Sequence, residues 1–223
     1  MLKKLAFRAA FAFILGVILV AVLVFIPTGT LRFPGGIRLM CVLFVPILIA
    51  GIVMLIKSPE LLQKRLESKE KRGAQTVIVK LSGLMFIAGF VVAGLDFRFK
   101  WLPVPEWISW TAAAIFIAGY AMYAEVLREN AYLSRTIGVS EGQKVIDTGL
   151  YGIIRHPMYT STLLLFLTIP LILGSVIALA CFLIYPVLIV CRLLDEEALL
   201  EKELDGYSEY KKKVTRRLIP FIW

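Results

Sequence analysis

The sequence predicts an all-α fold, a polytopic membrane helix bundle of about six transmembrane helices followed by a cytoplasmic C-terminal amphipathic segment. Three observations predict it. Hydrophobic residues fill 59% of the 223 positions and mean hydropathy is +0.83, beyond what a water-soluble domain of this size carries. Five uncharged runs punctuate the chain. Lys and Arg gather in alternate connections between those runs, the pattern of cytoplasmic loops.

The runs are Ala9 to Ile26, Leu39 to Ile56, Leu81 to Leu95, Trp107 to Ala124 and Met158 to Cys191. A hydrocarbon core of ~30 Å takes about 17 to 25 helical residues, so the first four read as single spans. The third reaches that length by drawing in Thr76 to Val79 and letting Lys80 snorkel. The first run starts too late and lacks the small-residue cleavage pattern of a signal peptide, so it is expected to be a retained helix. Gly89 and Ala93, four apart in the third span, suit close contact with a neighbouring helix.

The fifth run holds 34 uncharged residues. As one helix at ~1.5 Å per residue it would reach about 50 Å, too long for the core even with tilt. Pro170 and Leu173-Gly174-Ser175 divide it into arms of similar length, Met158 to Leu173 and Val176 to Cys191, a hairpin that returns the chain to the face it left. Charge tests this independently. With six spans, the N-terminus, loops 57–76 and 128–157 and the segment from 192 hold 3, 6, 4 and 7 Lys or Arg, whereas loops 27–38 and 96–106 hold 2 each and the turn near 174 none. Both termini are therefore expected in the cytoplasm. The net charge of +9 follows from loops facing anionic lipid, and nucleic acid need not be invoked.

Trp101, Trp107 and Trp110 read as interfacial anchors on the outer side. Cys41, Cys181 and Cys191 lie in or at the end of apolar runs without metal-type spacing and read as packing residues, so neither a metal nor a disulfide is expected. Residues 195–209 carry seven of the sixteen acidic residues, interleaved with Leu199, Leu200, Leu204, Tyr207 and Tyr210. This reads as a helix lying on the membrane surface, apolar side down. Lys211 to Lys213 with Arg216 and Arg217 form a basic patch that suits either lipid phosphates or a plain topology signal.

The hairpin has a chemical consequence. It sets Asp147-Thr-Gly-Leu-Tyr151-Gly-Ile-Ile-Arg155-His156-Pro157-Met158-Tyr159 beside Arg192, Glu196 and Glu197. Pro157 suits the first turn of a helix, leaving His156, the one histidine, at its start beside free backbone N–H groups. Such helix starts hold anionic groups. Tyr151, Tyr159 and His156 add side-chain donors, and Glu196 accepts from an ammonium or from sugar hydroxyls. Singly, each of these residues has an ordinary structural reading as a cap, a topology charge or a solvated face. Together they carry more, because Arg192 and Glu196 are four apart on one helix face.

Gly149-Leu-Tyr-Gly-Ile-Ile-Arg-His-Pro-Met-Tyr159, then a hydrophobic hairpin, Arg192-x-x-x-Glu196-Glu197, Gly206-Tyr207-x-x-Tyr210 and Arg217-Leu-Ile-Pro220, together resemble the isoprenylcysteine carboxyl methyltransferase family and its phospholipid methyltransferase relatives. The likeness covers residues 130–223 and extends more loosely through Gly94 to Pro105. It implies S-adenosylmethionine as methyl donor. Carried across, Tyr151, His156, Pro157, Met158, Tyr159 and Glu196 would bind the donor, with Gln143, Lys144, Val145 and Ile146 close by. Arg192 would face the methyl-accepting group, and for an amine acceptor Glu196 or Glu197 would be the candidate base. The chain departs from the family pattern at Ser161, where many relatives have Gly, and at Leu204 to Tyr207.

The resemblance also implies a division at residue 127, with an N-terminal four-helix membrane region (1–127) and a C-terminal catalytic region (128–223). The expected partners are the bilayer and a lipophilic acceptor, a prenylcysteine-like carboxylate or a lipid amine, with no nucleic acid and no obligate protein partner. Two other classes share part of the pattern. Membrane sterol and steroid reductases that use NADPH show a similar Arg-His-Pro-x-Tyr element and a terminus like Pro220-Phe-Ile-Trp223, and a non-catalytic membrane module is the third reading.

Overall fold

The computed structural model describes residues 2–66, 73–130, 132–133, 138–139 and 142–223. Lys69, Lys71, Arg72 and Arg135, counted above among the loop charges, lie outside the described residues. The long helices are α1 (Leu2–Thr28), α2 (Pro34–Lys57), α4 (Gly73–Phe99) and α5 (Glu106–Glu129), with a short α3 (Pro59–Leu66) beside the end of α2. The hairpin follows as α6 (Pro157–Ile172), then α7 (Val176–Phe182) and α8 (Ile184–Glu203), and α9 (Tyr207–Lys213) closes the series. Among the described residues there is no strand, only an isolated antiparallel bridge between Pro103 and Ser175.

Five stretches are long and apolar enough to cross a membrane: α1, α2, Gln75–Phe99, α5 and the combined Val176–Glu203. The first arm of the hairpin, α6, which the sequence reading counts as a span, is apolar but only sixteen residues long. The chain is thus a multi-pass helical bundle. In α1 and α2 only 6% of the spanning window is buried, against 28 to 33% in the other three spans. The first two helices are therefore peripheral, and the rest of the chain leaves most of their surface uncovered.

Gly174 makes the hairpin turn at φ 80°, a conformation that costs glycine nothing. Ser175 then caps α7, its Oγ accepting from Ala178 N at 3.0 Å while donating to the buried Asp96 carboxylate. Asp96 also accepts from Leu102 N at 2.8 Å, so one carboxylate ties the α4–α5 loop to the hairpin tip. Nearby, Arg38 pairs with Glu106 and lies 4.3 Å from the Trp110 ring.

Side chains from α2, α4, α5 and the hairpin fill the core, where Leu39, Phe116, Ile172, Phe182 and Leu193 are fully buried. Phe86 meets Phe166 and Phe182 edge-on at 4.8 and 5.5 Å. The expected close contact at Gly89 is present: a Cβ there would fall 2.3 Å from Phe182 Cε2, so α4 and α7 meet where only a hydrogen fits. Ser161, in place of the family's Gly, is fully buried and donates to Met158 O at 2.7 Å, which spends its hydroxyl within its own helix.

Two expectations are corrected. The acidic stretch after Asp195 does not start a separate surface helix. It continues α8 to Glu203, then breaks at Gly206, where φ is 83°. Its apolar residues Leu200, Leu204, Tyr207 and Tyr210 pack on Val139, Val145 and Val214, protein surface that takes the place of lipid. Of the cysteines, only Cys181 is partly buried against the core; Cys41 and Cys191 face outward.

Candidate active site

At the end of the bundle opposite the hairpin tip, the chain leaves α5 and builds a polar pocket from short local devices. Gly149 opens a 3-10 turn, Gly149–Gly152, at φ 49°. A Cβ at that position would sit 1.6 Å from Glu129 Oε1. Glu129 uses that space to accept from Leu150 N at 3.2 Å, capping the turn. The turn delivers Tyr151, whose hydroxyl accepts from Asn130 Nδ2 at 3.0 Å and whose carbonyl accepts from the Tyr210 hydroxyl at 2.8 Å. Burial pushes the Tyr151 phenol up to about 12, so it stays protonated. The same cause raises the phenols of Tyr207 and Tyr210.

Residues 155–156 are fixed by the C-terminal tail. Arg155 N and His156 N donate to Arg216 O and Arg217 O, each at 2.9 Å. His156 stands at the N-cap of α6 with Pro157 following it, as the sequence implied. Its imidazole is not used as a cap. Nε2 lies 3.1 Å from Glu197 Oε1, which also accepts from Arg155 Nε at 2.7 Å, while Glu197 Oε2 accepts from Arg217 Nε at 3.0 Å. Glu197 is thus a buried hub that joins three cationic or polar side chains from two segments.

Glu196, its neighbour, faces the other way. The Tyr159 hydroxyl donates to Glu196 Oε2 and accepts from Arg192 Nε at 3.2 Å. Arg192 Nη1 also donates to Gln75 Oε1 at 2.9 Å, and Gln75 Nε2 donates to Asp195 Oδ2 at 2.5 Å. The first turn of α4 therefore reaches across to α8. The basic patch of the tail is largely tied down: Lys211 Nζ donates to Glu201 and Lys213 Nζ to Asp147, each at 2.7 Å. That bond holds the exposed Asp147 carboxyl below its ordinary value.

Gln143, Lys144, Val145, Ile146, Tyr151, His156, Met158, Tyr159, Arg192 and Glu196 all line this pocket. Pro157 and Glu197 do not: Pro157 begins the helix behind it, and Glu197 is consumed by the hub. The sequence reading offered Glu197 beside Glu196 for the acceptor group; the structure sets the two apart, since successive residues on a helix are rotated by more than a quarter of a turn. It also missed Asn130, Tyr207 and Tyr210 as pocket residues and Gln75 as the support of Arg192. A signal for the tyrosines was present in the Gly-Tyr-x-x-Tyr spacing; Gln75 gave none, being a polar residue near the end of a span.

One atom bears directly on occupancy. Tyr207 is buried, lines the pocket, and its hydroxyl has no hydrogen-bond partner among the described residues. A buried hydroxyl without a partner costs about 1 to 3 kcal/mol, so this one calls for a partner that a ligand or a water can supply. The pocket joins this donor to a carboxylate, Glu196, a guanidinium, Arg192, and the ring faces of Tyr151, His156 and Tyr159. That donor set fits a molecule carrying ammonium, hydroxyl and aromatic groups together with a positive centre.

A multi-pass helical protein with a polar pocket at the open end of its last hairpin is the class these features define. Residues 107–205 match the family model described as phospholipid methyltransferase, and this stretch carries nearly all of α5, the pocket turn, the hairpin and all of α8. The C-terminal part of the chain thus carries the domain of that membrane methyltransferase family, in agreement with the sequence resemblance. A 91-residue stretch is also 31% identical to a Delta(14)-sterol reductase of Mus musculus, covering 40% of this chain and 22% of the reductase. The chain therefore spans a minor part of that relative.

Proposed function

We propose that this protein is an S-adenosylmethionine-dependent methyltransferase with both termini in the cytoplasm, acting at that membrane face on a lipophilic acceptor. The observation that carries the reading is the pairing of Arg192 and Glu196 through one hydroxyl, Tyr159, in a pocket that is also lined by the unpartnered Tyr207. When bound, the cofactor supplies an electrophilic methyl on a sulfonium, and its transfer to an acceptor oxygen or nitrogen leaves S-adenosylhomocysteine. Tyr151, His156, Met158 and Tyr159 would hold the donor, with Gln143 to Ile146 closing over it and Glu196 taking its ammonium or ribose hydroxyls.

Displacement of this kind needs positioning and exclusion of water more than a nucleophilic side chain. Arg192, its guanidinium fixed by Tyr159 and Gln75, is suited to orient a carboxylate acceptor by charge-assisted attraction. For an amine acceptor, Glu196 is the carboxylate in reach to take the proton, since Glu197 is already bonded on both oxygens. His156 is a positioning residue here, its ring held by Glu197 and stacked 5.7 Å from Tyr159.

The mouse reductase match favours a second reading, reduction with NADPH. That cofactor's extra phosphate calls for several free cations. In the pocket Arg155 is already bonded to Glu197 and Val214 O, which favours the methyl donor. Titrating detergent-solubilised protein with S-adenosylhomocysteine and, separately, NADPH decides between them. Binding of S-adenosylhomocysteine alone is expected; preference for NADPH would sink the methyltransferase reading, and binding of neither would return the chain to the class of non-catalytic modules.

A further inference from the structure

A second cavity opens at the same end of the bundle. It encloses about 1060 Å³ between the first turns of α1, the α2–α3 junction and the last turn of α5. Arg128 belongs to this cavity and Asn130 to the polar pocket, so the end of α5 is the wall between them. Five cations reach the cavity, Lys4 and Arg8 from α1, Lys57 and Lys64 from the junction and Arg128 from α5, against one carboxylate, Glu60.

Four of these cations are not spent on other described residues. Arg128 is paired with Glu125, but among the described residues Lys4, Arg8, Lys57 and Lys64 make no ion pair or hydrogen bond through their side chains. Charges that only set topology can be scattered along their loops, whereas these come from three separate segments and converge on one hollow. Leu2, Leu5, Leu61 and Leu127 supply the apolar part of its walls. On α1 the face of Lys4 and Arg8 continues with Phe11 and Leu15, 61% and 55% exposed, so the positive mouth leads onto apolar surface running into the membrane.

We propose that this cleft binds an anionic phospholipid of the adjoining leaflet, with the headgroup phosphate among Lys4, Arg8, Lys57 and Lys64 and the acyl chains along α1. Cationic side chains at the level of the headgroups attract anionic lipid, and an apolar floor selects a lipid over a soluble phosphate. The site is separate from the polar pocket and does not depend on what reaction occurs there.

The test uses the full chain, stripped of lipid in detergent and then given equal amounts of phosphatidylglycerol and phosphatidylcholine with identical acyl chains, with retained lipid counted by native mass spectrometry. Phosphatidylglycerol is expected to be retained about fivefold over phosphatidylcholine. The K57Q/K64Q variant should lose that preference, while K211Q/K212Q/K213Q keeps it. K64E, carried alongside in case the double variant does not fold, should lose it as well. Equal retention of the two lipids by the wild-type chain, or a preference that survives in K57Q/K64Q and K64E, would overturn the proposal. Displacement of phosphatidylglycerol by millimolar glycerol phosphate would also overturn it, reassigning the cleft to a soluble phosphate.

Discussion

Gln75 and Arg192 are 117 positions apart, and Arg192 Nη1 donates to Gln75 Oε1 at 2.9 Å. Gln75 is fully buried and has its amide nitrogen on Asp195, so it bridges two residues one turn apart on α8. Replacing it with Leu removes a partner from both. Losing one member of a buried hydrogen-bonded set costs about 1 to 3 kcal/mol. We expect Gln75→Leu to lower the unfolding temperature in detergent and to reduce methyl transfer while S-adenosylhomocysteine affinity stays near wild type. An unchanged turnover would remove Gln75 from the support of Arg192.

Glu196 and Glu197 are adjacent and should fail differently. Glu197 side-chain exposure is 4%, and Arg155, His156 and Arg217 converge on it. Breaking a buried ion pair by removing one partner costs about 3 to 5 kcal/mol, so Glu197→Ala should be strongly destabilised. Glu196→Ala should melt close to wild type and lose S-adenosylhomocysteine affinity. The reverse pattern in paired melting and binding curves would exchange the roles assigned to them.

Gly149 offers a double-variant test of the pocket turn. Gly149→Ala drives a methyl into Glu129 at φ 49°; a residue forced into a sparsely populated backbone region costs of order 1 to 3 kcal/mol. Adding Glu129→Ala relieves the collision but not the backbone cost or the lost cap. The double variant should therefore recover only part of the stability lost by Gly149→Ala. Full additivity of the two losses would mean the two side chains do not meet.

Tyr151 gives a signature in alkali. Its folded value, about 12, lies above the ordinary value of 10. A raised value means that its contribution to stability is complete below pH 10 and is lost as pH climbs through about 12. Ultraviolet titration should show no tyrosinate from this residue at pH 10, so wild type and Tyr151→Phe should have equal tyrosinate absorbance there and diverge near pH 12. Divergence already at pH 10 would show that the ring is not buried.

The hairpin was legible from 34 uncharged residues and one turn signal, and with it the meeting of Tyr159 with Arg192 and Glu196, because span length and helical period are local quantities. What the sequence could not convey was the partner of an amphipathic face. Leu200, Leu204, Tyr207 and Tyr210 read as a membrane-facing stripe, and the same pattern serves equally well to cover Val139 and Val145. Gln75 was invisible for a related reason: a polar residue at the end of a span has an interfacial explanation until its distant partners are known. Glu197 was assigned with Glu196 because adjacency in sequence hides opposite directions in space.

The backbone pairing of Arg155 and His156 with Arg216 and Arg217 bears on the order in which this protein can be made. A chain emerging from the ribosome can insert its helices as they appear, since each satisfies its own backbone. The pocket cannot be finished on that schedule. Arg155, His156 and Thr160 are held by residues 214–218, which are synthesised some sixty positions after the segment they hold, so binding competence should arrive as a late event in biogenesis, after the last long helix is already in the membrane.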